Sequence, residues 1–216
     1  MAETYNNSAE QLGFDTLLAD TEAQNRQHRL ERETAHLPGT MSEAIPFYAA
    51  LLAAHDIAMR KADVENVCRL RTEARLLARK LNGNGPGILA GPDAPGNVLS
   101  AQTAAPEGEI PIWGQTGCFT VVIEGIEVRV EMDGVLGIAS HSHWLGFAIH
   151  AINWDRSFLS ETGYRSFLGV HAQPMEGLRV DTFVGMILNL YLIRELGGRM
   201  LEIGAQYRDR DKDQER

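Results

Sequence analysis

The chain contains 216 residues, of which 44% are hydrophobic and 23% are charged, a composition typical of a folded globular protein. Its formal net charge of −9 at pH 7 excludes a generally basic surface of the kind that binds phosphate backbones, so we expect no direct nucleic-acid binding. The two cysteines, Cys68 and Cys118, belong to no paired motif, which argues against a disulfide framework or a structural zinc site.

The sequence also shows no signal for export or membrane insertion. The first seven residues, MAETYNN, contain no basic region followed by an apolar one. No apolar run approaches the roughly 20 residues needed to span a bilayer. We therefore expect a cytoplasmic protein with no membrane partner.

The first two segments are predicted to be helical. Residues 1–39 are dominated by a polar helix that we expect to lie on the surface, and residues 40–82 are predicted to form a helical hairpin. The first helix of that hairpin begins either at Thr40, which opens a capping-box pattern, or at Pro46. Asp63 is the predicted N-cap of the second helix.

The second helix of the hairpin carries several basic residues outside its apolar seam. We expect a solvated basic face there, and the alternative is a docking site for an acidic partner. The residues concerned are Arg69, Arg71, Arg75, Arg79 and Lys80.

Residues 83–117 are rich in glycine and proline and are predicted to be a long connecting loop. The first glycines resemble a phosphate-binding loop, but no lysine followed by serine or threonine comes after them, so nucleotide binding is disfavoured. Residues Ile110–Trp113 are predicted to add an edge strand, where proline is tolerated.

Residues 118–207 are predicted to form an α+β domain. Residues 119–124 and 126–132 are rich in β-branched side chains, and the second run alternates strictly, as in a strand with one wet face. A third run, 146–154, is expected to pair beside this hairpin. A broad apolar stripe after Thr182 predicts a long helix that ends at Gly197 and covers the sheet.

The end of the chain is predicted to add one more strand and a tail. Leu201–Tyr207 is the candidate strand, and residues 208–216, nearly all charged, are predicted to be a disordered tail. The fold class that follows is α+β, with an N-terminal helical hairpin, a long Gly/Pro-rich loop and a small antiparallel sheet covered by a long C-terminal helix.

The predicted sheet carries an excess of acidic residues. Between Asp93 and Asp133 there are seven acidic side chains and one basic side chain, Arg129. Because the alternation turns these carboxylates outward, we expect an acidic sheet face next to an aromatic-rich segment. The candidate binding residues are Glu124, Glu127, Glu131, Asp133, Trp144, Trp154 and Arg156.

Histidines in the same region make a divalent metal site conceivable, although no cofactor is expected. His141, His143 and His150 could bind zinc or iron together with His171 or a nearby carboxylate. Their spacing matches no specific metalloenzyme helix, and the favoured interpretation is a polar turn.

A second polar cluster could support acid–base chemistry. Asp155 or Glu161 could serve as a general base, and Tyr164 or Arg165 could orient an anionic group. The same residues equally supply helix caps and salt bridges that fasten a loop, and this structural role is the favoured one.

Residues 87–96, together with 154–156 and 160–169, resemble stretches of uncharacterised bacterial proteins with no assigned function, some of them carried by mobile elements. This resemblance implies no activity, cofactor or catalytic residue. It favours a role in plasmid or phage biology.

The functional hypothesis is a non-enzymatic accessory protein whose acidic sheet face binds another protein. Its specific form is an inhibitor or decoy for a basic, nucleic-acid-binding partner in restriction or defence. The alternative is a metal-dependent or acid–base hydrolase that uses residues 141–165. A small-ligand module and a homo-oligomer are further options left open by the sequence.

Overall fold

The computed structural model describes residues 7–137, 146–168 and 174–208. Within these ranges the protein has five helices and one four-stranded antiparallel sheet, so the α+β prediction is confirmed. No helix in the described ranges is both long enough and apolar enough to cross a membrane. Residues 209–216 of the predicted tail lie outside the described residues, whereas Arg208, which was also assigned to the tail, belongs to a helical turn.

The helical part contains α1 (Asn7–Thr34), α2 (Met41–Arg60), α3 (Val64–Leu81) and α4 (Pro95–Gln102). The second helix begins after Thr40, whose hydroxyl donates to Oε2 of Glu43 over 2.9 Å. Asp63 caps α3 as predicted, because its carboxylate accepts a hydrogen bond from the backbone N–H of Asn66 over 3.1 Å. The helical hairpin is therefore confirmed.

The prediction of a solvated basic face on α3 is wrong for one residue, Arg71. Arg71 is buried, with 2% of its surface exposed. It lies on the same side of α3 as the buried residues Val67 and Ala74, because positions three and four residues apart share one helical face. Arg71 is therefore a core residue, whereas Arg69, Arg75 and Arg79 are exposed or partly exposed.

Two predicted strands are absent from the described structure. At residues 110–113 the backbone N–H groups of Ile112 and Trp113 donate to side chains, Gln115 Oε1 and Asp56 Oδ1, which leaves no strand ladder. Leu201 makes one isolated bridge, with Phe158, and the chain then enters a helical turn after Gly204. The predicted loop 83–117, in turn, contains helix α4.

The sheet consists of β1 (Gly117–Ile123), β2 (Ile126–Met132), β3 (Phe147–Ala151) and β4 (Tyr164–Phe167), in that spatial order. The first two strands form the predicted hairpin. Glu124 and Gly125 connect them with φ values of +48° and +77°, as a tight two-residue hairpin turn requires.

The final helix, α5 (Val180–Arg194), packs on the inner face of the sheet and contacts β1. Its buried residues include Phe183, Val184 and Leu188, and the inner face of the sheet contributes Phe119, Val130 and Ile149 to the same core. The helix ends before Gly197 and Gly198, both at positive φ, and the N–H of Gly198 bonds the carbonyl of Leu192 over 2.8 Å. One face of the sheet is thus covered.

Candidate binding face

The other side of the sheet, called the outer face here, is built by strict alternation along four strands. Strand register places its side chains in rows that cross the strands. One row contains Thr120, Arg129, His150 and Tyr164, and the next contains Cys118, Glu131, Ala148 and Ser166. Polar groups that are distant in sequence therefore become neighbours.

Arg129 lies near the centre of the outer face. Its guanidinium is 3.7 Å from the carboxylate of Glu107 and forms a hydrogen bond with the Cys118 side chain. That hydrogen bond, the charge of Cys118 when ionised, and the nearby carboxylates Glu107 and Glu131 raise the pKa of Arg129 above its usual value. Arg129 therefore remains charged between two carboxylates.

Glu131 and His150 form a pair across neighbouring strands. Nε2 of His150 is 3.3 Å from Oε2 of Glu131, and the imidazole also meets the ring of Tyr164 edge to face, with 5.0 Å between ring centroids. Burial, followed by the charge of Glu131, raises the pKa of Asp133, which follows β2 directly and is half-buried.

A groove of about 610 Å³ runs over this face. One wall comes from the segment before β1, because the N–H of Gly108 bonds the carbonyl of Cys118 over 2.9 Å and holds Glu107 beside the sheet. The other wall is Ile152 and Trp154, which follow β3. Arg129, Glu131 and His150 line the groove between these walls.

Trp154 is positioned by a close approach to Gly163. A Cβ on Gly163 would lie 2.7 Å from Cη2 of the indole, and Gly163 has a φ of +70°. The carbonyl of Gly163 also accepts the N–H of Ala151 over 2.8 Å. Glycine is therefore required there by both space and backbone conformation.

A smaller groove of about 370 Å³ lies at the hairpin end of the sheet. It is lined by Gly125, Ile126, Glu127, Ile152, Asn153 and Arg156. Glu124 is exposed in the turn beside it. Four predicted binding residues, Glu127, Glu131, Trp154 and Arg156, thus line one groove or the other.

The acid–base candidates do not form one cluster in the described structure. Tyr164 faces outward, but its neighbour Arg165 points to the inner side, where its guanidinium lies 4.2 Å from the ring centroid of Tyr191. Asp155 and Glu161 lie in exposed turns and line neither groove. The proposed catalytic role of these residues stays a prediction.

The metal-site hypothesis rests in part on residues that the structure does not describe. His141, His143, Trp144 and His171 lie outside the described ranges. Within those ranges, no group of three or more histidine, cysteine, aspartate or glutamate side chains is arranged to bind a metal ion. The divalent metal stays a prediction.

A buried polar network was not foreseen from the sequence. His55 is fully buried and contacts both Arg71 and the carbonyl of Trp113, and the Trp113 indole donates to the carbonyl of Leu178 over 2.7 Å. A sequence signal did exist, because His55 falls four residues from Leu51 and from Met59 on the apolar stripe of α2. This network ties α2 and α3 to the segment that precedes α5.

Two curated proteins are similar to this chain, both named Protein KlcB and both from Escherichia coli. The first is 32% identical over 178 residues, which cover 82% of this chain and 42% of that protein. The second is 32% identical over 174 residues, covering 79% and 36%. No family model and no solved structure matches. The chain thus spans less than half the length of these relatives, and most of its own length is similar to one part of the bacterial protein KlcB.

Proposed function

We propose that this chain is a non-enzymatic binding protein that holds a basic segment of a partner protein against the outer face of its sheet. The observation that carries the proposal is the outer groove, whose rim combines exposed carboxylates with Trp154. Among the described elements, the one helix that contacts the sheet, α5, packs on the opposite side. Within the described ranges, therefore, no helix covers the outer face.

The charges of the groove favour a basic partner. The side chains of Glu107 and Glu131 are 85% and 59% exposed, so a basic side chain of a partner can reach both carboxylates. Arg129 lies between them and offsets one of the two charges. An exposed ion pair contributes only about 0 to 1 kcal/mol. One such contact should therefore bind a partner weakly, several contacts together should bind it more tightly, and added salt should weaken the binding.

The aromatic residues favour lysine and arginine side chains in particular. Trp154 is half-buried in the wall of the groove and Tyr164 is 47% exposed on the same face. The faces of such rings attract ammonium and guanidinium groups by about 0.5 to 1 kcal/mol at exposed sites. Tryptophan and tyrosine are also enriched in the centres of protein interfaces.

A specific form of the proposal is that the outer face acts as a decoy for a protein that binds nucleic acid. Such a partner presents a basic surface, and the exposed carboxylates of Glu107, Glu127 and Glu131 can occupy it in place of phosphates. The similarity to KlcB supports a bacterial origin. An anti-restriction or anti-defence role, and carriage by a mobile element, belong to this proposal as well.

The test measures binding of a labelled lysine- and arginine-rich peptide by fluorescence anisotropy at low and at physiological salt. The variant Glu127→Lys/Glu131→Lys should weaken binding about tenfold, because two favourable charges become repulsive. The control Glu65→Lys/Glu176→Lys changes the net charge equally at exposed positions away from the sheet. An equal loss in both variants, or binding that ignores salt, would show that the outer face is not the site.

Pull-down from bacterial lysate provides a second measurement. The immobilised protein should retain a basic protein that elutes with salt, and the outer-face variant should lose that same protein while the control variant keeps it. Elemental analysis of chelator-free protein addresses the rival hypothesis. Zinc, iron or manganese bound in stoichiometric amount and lost on His141→Ala would favour the metal-dependent enzyme instead.

A further inference from the structure

The edge of the sheet at β1 is only partly occupied by this chain itself. The N–H of Ala105 bonds the carbonyl of Thr116 over 2.9 Å, and the N–H of Gly108 bonds the carbonyl of Cys118 over 2.9 Å. After Gly108, this segment makes no further backbone hydrogen bond to β1 within the described ranges. Residues 119–123 of β1 lie beyond its reach.

The strand register shows which backbone groups of this open stretch point away from the sheet. The two-residue turn makes Ile123 and Ile126 a hydrogen-bonded pair, and such pairs alternate along an antiparallel ladder. Val121 therefore bonds β2, whereas Thr120 and Val122 direct their N–H and C=O groups outward. In the part of the chain that the structure describes, no residue bonds these outward groups.

The opposite edge of the sheet, at β4, is closed by its own chain at Tyr164. The N–H of Ala151 bonds the carbonyl of Gly163 over 2.8 Å, so the next residue, Tyr164, directs its backbone groups outward. The Thr162 hydroxyl donates to the carbonyl of Tyr164 over 2.8 Å and accepts its N–H over 3.3 Å. No described side chain plays this role at the open stretch of β1.

We infer that the basic partner segment binds in extended form, as a fifth strand along residues 119–123 of β1. The inference rests on the proposed function and adds how the partner is recognised. Hydrogen bonds to the backbone of Thr120 and Val122 supply affinity, and side chains at alternate positions supply specificity. The outer groove reaches this edge, because Gly108 and Thr120 are among the residues that line it.

Exposed carboxylates border the open stretch and favour a basic occupant. Glu107 lies beside its start, Glu124 is exposed in the turn at its end, and Glu127 is directly opposite Val122 on β2. Arg129, on the same face, is 3.7 Å from Glu107, which offsets its charge. The balance of charge at this edge is therefore acidic, and lysine or arginine in the added strand complements it.

Alternation along the strand fixes the sequence pattern of the occupant. Side chains on the outer side of the added strand lie next to Thr120 and Val122, and long basic ones can reach past them to Glu127. Side chains on the inner side lie next to Val121, which is half-buried, so apolar residues fit there. The occupant is therefore a segment in which basic and apolar residues alternate.

The same carboxylates disfavour a second copy of this chain at the edge. An antiparallel pair of β1 strands, related by a twofold axis near Val121, would bring Glu124 of each copy close to Glu107 of the other. Charged residues beside an open edge are a common device against such self-pairing. A basic segment relieves the repulsion that a second copy would increase.

Alternate N-methylation of a peptide tests the inference on the unmodified protein. The probe is a labelled peptide of alternating lysine and valine, and its binding is measured by fluorescence anisotropy. Methyl groups on the lysine amides and methyl groups on the valine amides block opposite edges of an extended peptide. One methylated peptide should bind about tenfold more weakly than the other. An equal effect of the two contradicts strand addition.

Val122→Pro tests the same edge from the side of the protein. Proline removes the outward N–H without removing a bond to β2, and it is tolerated on edge strands. Binding of the unmethylated peptide should weaken about tenfold. Val122→Thr, which keeps the N–H and a branched side chain, is the matched control and should bind as the unmodified protein does. An equal loss in both variants, or in neither, overturns the inference.

Amide hydrogen exchange, followed by NMR, separates failure of this inference from failure of the proposed function. Saturating peptide should slow exchange at Thr120 and Val122 and leave Ser166, which points outward at the edge of β4, unchanged. Peptide binding that Glu127→Lys/Glu131→Lys weakens, without slower exchange at β1, refutes strand addition and leaves the proposed function standing. If neither this peptide nor the lysine- and arginine-rich peptide binds, both proposals fail.

The same measurement without peptide examines the other occupant. Exchange at Thr120 and Val122 should then be independent of protein concentration. Exchange that slows as the protein is concentrated would identify a second copy of this chain on the edge and overturn the inference.

Discussion

Arg71 and His55 are hydrogen-bonded to each other in the core, with the Nε hydrogen of Arg71 donated to Nε2 of His55 over 2.9 Å. Because Nε2 accepts, the proton of neutral His55 lies on Nδ1 and is donated to the carbonyl of Trp113 over 2.8 Å. Burial, followed by the charge of Arg71, lowers the pKa of His55 to about 4. The histidine is thus held neutral.

We predict from this pair that stability falls as the pH is lowered from about 6.5 to 4. The unfolded chain binds a proton at His55 near the ordinary value of 6.5, whereas the folded chain does so only near 4. Protons therefore favour the unfolded state across this interval, by up to about 3 kcal/mol once both states are protonated. Urea unfolding measured at several pH values within the interval tests how steeply the unfolding free energy depends on pH.

Two histidine variants isolate this contribution. His55→Gln should be less stable at neutral pH but should show a flatter dependence on pH, because the titrating group is gone. His36→Gln removes a histidine whose side chain is 61% exposed and should keep the slope of the unmodified protein. The assignment to His55 would be wrong if His55→Gln kept the full slope.

Arg71→Met is predicted to destabilise the protein while also shifting the acid transition. The substitution leaves the buried Nε2 of His55 without its donor, which costs about 1 to 3 kcal/mol. It also removes the positive charge that helps to lower the pKa of His55, so that pKa should move back toward 6.5. NMR titration of the His55 ring measures the pKa, and urea unfolding measures the free energy.

The control for this variant is Arg69→Met, which removes an exposed arginine from the same helix. It should change the unfolding free energy by less than about 1 kcal/mol, the usual limit for a surface ion pair such as that of Arg69 with Glu73, and leave the pKa of His55 nearly unchanged. Similar effects of the two substitutions would mean that Arg71 acts through its general charge and not through its contact with His55.

The β1–β2 hairpin was predictable because one strand alternates strictly between apolar and charged residues, and the pair is closed by Glu124–Gly125. Asp63 was predictable as a cap because its role depends on residues three positions away. Such features are local in sequence. They set the architecture of the sheet and of the helical hairpin without reference to distant parts of the chain.

The buried network and strand β4 could not be predicted from local sequence patterns in the same way. Arg71 and His55 both occupy apolar stripes, but only their pairing with each other makes burial tolerable, and that contact joins residues 16 positions apart. Strand β4 has exposed residues on both sides, so it lacks a period-two pattern. Its identity as a strand comes from its pairing with β3 and from Arg165 packing on Tyr191.

Two neighbouring residues of β4, Tyr164 and Arg165, should therefore differ in their effect on peptide binding. Arg165→Met should leave peptide binding to the outer face unchanged, because Arg165 points inward toward Tyr191. It should cost about 0.5 to 1 kcal/mol of stability, the usual contribution of an exposed cation–π contact. Tyr164→Ser should weaken peptide binding, and it should lower the unfolding free energy by less than Arg165→Met does. Anisotropy and urea unfolding of both variants test this, and loss of binding in Arg165→Met would instead place Arg165 in the functional site.

Gly163→Ala is predicted to destabilise the protein and disturb the groove. Alanine at a φ of +70° costs about 1 kcal/mol. Its Cβ would also lie 2.7 Å from Cη2 of Trp154, and relieving this overlap should cost a further 1 to 3 kcal/mol, approximately. Because Trp154 forms one wall of the groove, its fluorescence should change and peptide binding should weaken.

Gly177→Ala is the matched substitution for Gly163→Ala, since Gly177 has a φ of +72° and a Cβ there would meet no described atom within 4 Å. It should show the backbone cost alone and leave both tryptophan fluorescence and peptide binding intact. The difference in unfolding free energy between the two variants then measures the contact with Trp154. If that difference is near zero and binding is equally affected, Gly163 does not position Trp154, and the groove must owe its shape to other contacts.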